Sequence, residues 1–166
     1  MPYLILAAAL VTLDQVVKLL VRSRIPLGEG IPFLPGLMDL TYVQNTGAAF
    51  SLFEKHTWIL AVISAAVSAL LVWALVKRFF KRPFGQITLA VVLAGAVGNL
   101  IDRVFLGFVT DMFETTFMNF AVFNVADICV VLGGIALCVY VLFFYERAEK
   151  SKQKESSSDD ADHTAG

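Results

Sequence analysis

Eight polar residues stand inside or beside long apolar runs of this chain: Asp14, Lys18, Asn99, Asp102, Arg103, Asp111, Asn124 and Asp127. A charged side chain at the centre of a membrane-spanning helix costs about 2.5–3.5 kcal/mol. Such residues therefore face a bundle interior or a watery cavity and mark function. Asp14 and Lys18 are spaced i, i+4, and Asn99, Asp102 and Arg103 are spaced i, i+3, i+4, so each set lies on one helical face. The two histidines, His56 and His163, are far apart in polar segments, and no Ser/His/Asp or Cys/His arrangement or glycine-rich phosphate loop is available. Cys129 and Cys138 share one apolar run without CxxC or metal-ligand spacing, so neither a disulfide framework nor a zinc site is supported. Acid–base chemistry falls to the carboxylates. Two aspartates held close cannot both ionise easily, and one proton is shared between them. The ionised member takes a proton from a water that attacks a peptide carbonyl. The neutral member polarises that carbonyl and then passes a proton to the leaving amine. Asp111 and Asp127 suit this pairing, because a loop carboxylate can fold over one at a helix start. Which of them holds the proton is a property of the pair.

The elements that must position these residues follow from composition. The 166 residues are 58% hydrophobic and only 16% charged, with a mean hydropathy of +0.75. A soluble domain averages about 45–50% apolar and about 25% charged residues. The excess is concentrated in runs near the 20 or so residues that cross a hydrocarbon core. Thr57 to Val76, Phe84 to Ile101 and Ile128 to Tyr145 carry no charge, and Pro2 to Val21 is interrupted by Asp14, Gln15 and Lys18. The expected fold is an all-α integral membrane protein of four helices spanning about 2–21, 57–76, 84–103 and 125–145. Outer loops at 22–56 and 104–124 complete one domain, 1–148. The first run lacks a positive leader and a small-x-small cleavage site, so it is expected to be a retained helix rather than a signal peptide.

Basic residues set the orientation. Lys77, Arg78, Lys81, Arg82, Arg147, Lys150, Lys152 and Lys154 make up 8 of the 13 Lys and Arg, and none lies between Val104 and Asn124. The positive-inside rule puts both termini and the 77–83 link in the cytoplasm. Asp14 then lies about 18 Å along an outward-running first helix. Asn99, Asp102 and Arg103 end the third helix, Asp111 follows in a loop, and Asn124 and Asp127 open the fourth. All share one depth near the outer surface. Singly, each has a plainer reading: an ion pair easing insertion for Asp14 and Lys18, interfacial anchors for Asp102 and Arg103, a helix cap for Asn124, a favourable dipole position for Asp127. The common depth weakens these.

Loop 25–56 mixes Pro and Gly turns with β-prone stretches such as Leu40 to Val43, which predicts a small extracytoplasmic sheet or hairpin. Its aromatics Phe33, Tyr42, Phe50 and Phe53 are expected at the headgroup level. The segment 149–166, serine-rich and without apolar periodicity, reads as a disordered cytoplasmic tail. The net charge of −1 offers no polybasic surface for nucleic acid.

Five segments in order, DQVVK (14–18), QNTGAAFSLF (44–53), GNLIDR (98–103), VTDMF (109–113) and FNVAD (123–127), resemble the bacterial lipoprotein signal peptidases (signal peptidase II), four-helix aspartic peptidases. The resemblance implies a catalytic dyad of Asp111 and Asp127, with substrate-binding or supporting roles for Asp14, Lys18, Asn45, Asn99, Arg103 and Asn124. Arg103 would neutralise or orient carboxylates through its planar fork. Asn99 and Asn124 would hydrogen-bond the dyad or the substrate backbone, and Asn45 with Gly47 would bring backbone groups to an extended peptide. Asp102 is given a structural part. The implied reaction removes the signal peptide of a prolipoprotein just before its diacylglyceryl-modified cysteine. The lipid chains stay in the outer leaflet of the bacterial inner membrane, no cofactor or metal is implied, and the chain is expected to act as a monomer among membrane lipids.

Two other classes remain to be weighed. A proton-coupled transporter would place its charges nearer the midplane and show repeat-related broken helices. A scaffold subunit using the polar cluster as interhelical glue would tolerate Asp→Asn changes that keep hydrogen bonds.

Overall fold

A computed structural model describes residues 2–47 and 57–145. In chain order they form helix α1 (Pro2–Arg24), strands β1 (Gly30–Leu34) and β2 (Met38–Asn45), helices α2 (Thr57–Val76) and α3 (Pro83–Phe105), strand β3 (Val109–Thr115) and helix α4 (Val125–Tyr140), which runs on into a π-helical turn, Val141–Tyr145. All four helical spans are long and apolar enough to cross a membrane. At about 1.5 Å per residue, the 23 residues of α1 and of α3 match a hydrocarbon core about 30 Å thick.

Helix α3 is the centre of the bundle and packs against α1, α2 and α4. Small residues let its neighbours approach: a Cβ at Gly95 would stand 2.3 Å from the Ala126 carbonyl oxygen, so α3 and α4 meet backbone to backbone there. The other three helices turn large side chains outward, among them Ile5, Trp58, Trp73 and Leu142. Lipid, not a protein core, is the natural neighbour of such faces. One apolar cluster, with Ala7, Leu71, Phe80, Leu89 and Tyr140, sits at the end of the bundle where α3 begins. At the opposite end Val21 of α1 and Ile25 just past its end pack on Tyr42 and Met112, fastening the sheet to the helices. Tyr42, expected at the headgroup level, is thus buried, because it is part of the seam between α1 and the sheet. Phe33 is half-exposed on β1. Phe50, Phe53, His56 and the 149–166 tail lie outside the described residues.

The sheet is antiparallel in the order β1-β2-β3. The β-prone stretch Leu40 to Val43 falls within β2, as its composition predicts. The second loop, 104–124, is not merely a loop: it supplies β3, and Asp111 is a strand residue facing Val43. The strand is nearly all buried at its start, so it lacks the polar alternation by which a half-exposed strand is recognised. Gly107, at φ +79° just past the end of α3, adopts the left-handed turn that ends the helix and sends the chain back along the polar end of α3. The pairing Gln44↔Thr110, Asn45↔Val109 then delivers Asn45 beside Asp111.

Candidate active site

The site is built outward from one helix cap. Asn124, with extended backbone, caps α4, and its side-chain oxygen accepts the Asp127 N–H at 2.9 Å. The Asp127 carboxylate answers by accepting the Asn124 N–H at 3.1 Å, a capping box that fixes both side chains. With its oxygen committed, the Asn124 amide nitrogen points outward and donates to Asp111 Oδ1 at 2.6 Å. The second Asp111 oxygen accepts the Asn45 amide at 2.8 Å, and Asn45 is itself oriented by accepting the Gly47 N–H at 3.0 Å. The other Asp127 oxygen accepts the Asn99 amide at 2.7 Å, while the Asn99 oxygen accepts from Lys18 Nζ at 2.9 Å. Each amide is therefore held in one orientation, with its donor end on a carboxylate.

Beneath this layer lies a buried charge cluster. Lys18, Asp14 and Asp102 are each 0–1% exposed. Lys18 Nζ stands 3.0 Å from Asp14 and 3.3 Å from Asp102. The i, i+4 ion pair read from the sequence is present, and it also reaches α3. Gln15 bridges the two carboxylates and the Gly98 carbonyl at 3.1–3.2 Å. Arg22 donates to the Thr110 hydroxyl at 2.9 Å and lies 3.9 Å from Asp102. Gln15, Arg22 and Thr110 escaped the sequence reading. For Arg22 a signal existed, since 14, 18 and 22 repeat at one helical turn; for Thr110, which offers its hydroxyl to Arg22 and its N–H to Asp102, there was none.

Asn45, Asn99, Arg103, Asp111 and Asp127 line one side of a cavity of about 510 Å³ whose other wall is apolar, with Phe120, Ile128, Val131 and Leu132. Asp111 is 2% exposed. Burial pushes its carboxyl up to about 6, the Asp127 charge acts in the same sense, and the amides of Asn45 and Asn124 with the Lys18 charge hold the rise back. Arg103 is close enough for its charge to act on Asp127, Asp111 and Asp102, but not through the expected fork. Among the described residues its guanidinium forms no ion pair with either carboxylate. It donates to Ser64 on α2 at 3.5 Å, and its buried Nε has no partner. The residue lines the cavity and reaches across to α2. Among the described residues no three His, Cys, Asp or Glu side chains group to hold a metal ion.

A bundle of spanning helices with two amide-braced carboxylates on one cavity defines a class: membrane proteins equipped for acid–base chemistry at the end of the bundle. Residues 6–143 match the family model described as signal peptidase (SPase) II, and the chain belongs to that family of membrane peptidases. It is 44% identical over 150 residues to a lipoprotein signal peptidase of Enterococcus faecalis, covering 90% of this chain and 93% of the relative. A lipoprotein signal peptidase of Clostridioides difficile is 38% identical over 148 residues, 89% of this chain and 99% of the relative. Two solved structures described as bacterial membrane enzymes, each 28% identical, superpose with TM-scores of 0.79 and 0.78. The first covers 85% of this chain and 87% of its own, the second 86% and 94%.

Proposed function

We propose that this protein removes signal peptides from prolipoproteins as an aspartic endopeptidase, cutting on the N-terminal side of the diacylglyceryl-modified cysteine with Asp111 and Asp127 as its dyad. One observation carries the reading: Asn124 bonds both carboxylates at once, Asp111 through its amide and Asp127 through its backbone N–H, on the wall of a shared cavity. Asp111, raised to about 6, is the member suited to hold the shared proton and hydrogen-bond the scissile carbonyl. Asp127, with Asn99 and Lys18 behind it, is suited to stay ionised and take a proton from the attacking water. As the tetrahedral intermediate collapses, a proton passes to the leaving amine and the C–N bond breaks.

Asn45, Asn99 and Asn124 brace the carboxylates without adding charge, and Asp14 and Lys18 support them from below. Arg103, with a free donor in the cavity wall, is suited to a carbonyl of the bound peptide. The apolar wall of Phe120, Val131 and Leu132 adjoins the exposed apolar side of α4, which favours a substrate held in the bilayer by acyl chains. The basic residues of the 77–82 link and the tail support an orientation with both termini cytoplasmic and the sheet and dyad at the outer face of the inner membrane.

The test is cleavage in detergent of a diacylglyceryl-modified prolipoprotein and its unlipidated counterpart by wild type, Asp111→Asn and Asp127→Asn. Cleavage of the lipidated substrate alone, abolished in both folded variants, is expected. Turnover by either variant near the wild-type rate would remove that residue from the chemistry, and an inactive, folded wild type would move the transporter reading forward.

A further inference from the structure

Two backbone donors near the site are left over by the secondary structure. β3 is an edge strand of the sheet, so one of its sides has no neighbouring strand. The first turn of α4 has N–H groups with no intrahelical acceptor. Buried donors of either kind need a partner. The Thr110 N–H donates to Asp102 Oδ2, and the Ala126 N–H donates to Asp14 Oδ1, each at 2.9 Å. Thr110 immediately precedes Asp111, and Ala126 immediately precedes Asp127. The two acceptors are each 1% exposed, and the fully buried Lys18 stands between them, bonded to both.

We infer that Asp14 and Asp102 are positioning residues: each grips the backbone one residue ahead of a dyad aspartate, and Lys18 joins the two grips so that the spacing of Asp111 and Asp127 is set from beneath. This rests on the dyad reading above. Neither Asp14 nor Asp102 lines the cavity, so neither needs to meet substrate. The grip asks each for an acceptor oxygen aimed at an N–H. It requires a shape made for it, and α3 supplies one: a Cβ at Gly98 would lie 2.6 Å from Asp14 Oδ2 and 3.2 Å from the Ala126 Cβ. Only the missing side chain lets Asp14 pass beside α3 to the start of α4. On the other side Gln15 and Arg22 face the second Asp102 oxygen, leaving Oδ2 for Thr110 and Lys18. Displacing a reacting group by about 1 Å costs on the order of 10²-fold in rate, so loss of one grip reads out in turnover rather than in substrate affinity.

The test compares Asp102→Ala and Asp102→Asn in the full-length protein, by the prolipoprotein assay, with the folded fraction measured by gel filtration and circular dichroism. Asn keeps an acceptor for the Thr110 N–H and Ala does not, but its amide nitrogen replaces the oxygen that faces the donors of Gln15 and Arg22. Per folded molecule, Asp102→Ala is expected to lose on the order of 10²-fold in kcat with KM little changed, and Asp102→Asn to recover part of that loss. Wild-type kcat in a folded Asp102→Ala protein would overturn the inference. So would a folded Asp102→Asn protein as inactive as Asp102→Ala, since the acceptor would then not be what matters. Failure of both variants to fold would assign Asp102 to folding and overturn it too. A wild type that does not cleave is a different outcome: it removes the dyad reading, and the inference with it.

Discussion

Replacing Asp111 by Asn is expected to make the protein more stable at neutral pH while abolishing turnover. The Asp111 carboxyl is raised from 3.8 to about 6, chiefly by burial, so the folded state binds that proton more tightly than the unfolded chain does. Below about pH 4 both states are protonated and the favourable term is fully present. As pH rises from about 4 to about 6 the unfolded chain ionises first, and the stability of the wild type falls. At roughly 1.4 kcal/mol per tenfold in proton affinity, the loss is about 3 kcal/mol by pH 7. An amide cannot ionise and mimics the protonated carboxyl, including its need to turn one of the two donating amides aside. Asn45 is the more easily turned of the two, because a single Gly47 N–H orients it whereas Asn124 is locked by a reciprocal cap. Denaturant unfolding in detergent micelles, followed by the fluorescence of Trp58 and Trp73, should therefore find Asp111→Asn more stable by up to about 3 kcal/mol at pH 8. Near pH 4 the two proteins should nearly coincide. A separation that stays constant from pH 4 to pH 8, or a variant less stable than wild type at pH 8, would refute the claim that this carboxylate is ionised at a cost. On the dyad reading, a gain in stability on removing Asp111 is the trade expected where a site stores unfavourable electrostatics for function.

The same raised carboxyl predicts that kcat/KM declines on the alkaline side with an apparent pKa of about 6; a pH–rate profile flat from pH 5 to 8 would contradict Asp111 as the proton holder. Gly95→Ala, whose Cβ would meet the Ala126 carbonyl, should cost about 1–3 kcal/mol by overpacking. Gly134→Ala, with nothing within 4 Å, should gain about 0.5–1 kcal/mol from lost chain freedom; equal effects in thermal unfolding would deny the close α3–α4 contact. Arg103→Lys should leave stability within about 0.5 kcal/mol, because its one hydrogen bond among the described residues is the long one to Ser64. It should lower kcat/KM by about tenfold or more through loss of the free Nε donor, and unchanged kinetics would show that only the charge matters.

The sequence by itself determined the four helices, because a run of about 20 apolar residues satisfies the bilayer locally, whatever its neighbours do. It also singled out a cluster: Asp14, Lys18, Asn99, Asp111, Asn124 and Asp127 are improbable beside lipid unless they meet one another, and in the fold they do. Asn45 entered through its family motif, and β2 places it on Asp111. What only the tertiary structure decided depends on groups far apart in the chain. β3 is paired with a strand about 70 residues earlier and buried on both faces at its start, so nothing in its pattern announces it. Tyr42 reads as an interfacial aromatic and is claimed by the seam between α1 and the sheet. The fork of Arg103 reads as a direct carboxylate partner; its charge does act on Asp111 and Asp127, but its one hydrogen bond among the described residues goes to Ser64 of α2. Least legible are the grips on Thr110 and Ala126. Every residue but proline carries a backbone N–H, so side-chain identity cannot tell which one the fold will leave free, nor which buried carboxylate will come to lie against it.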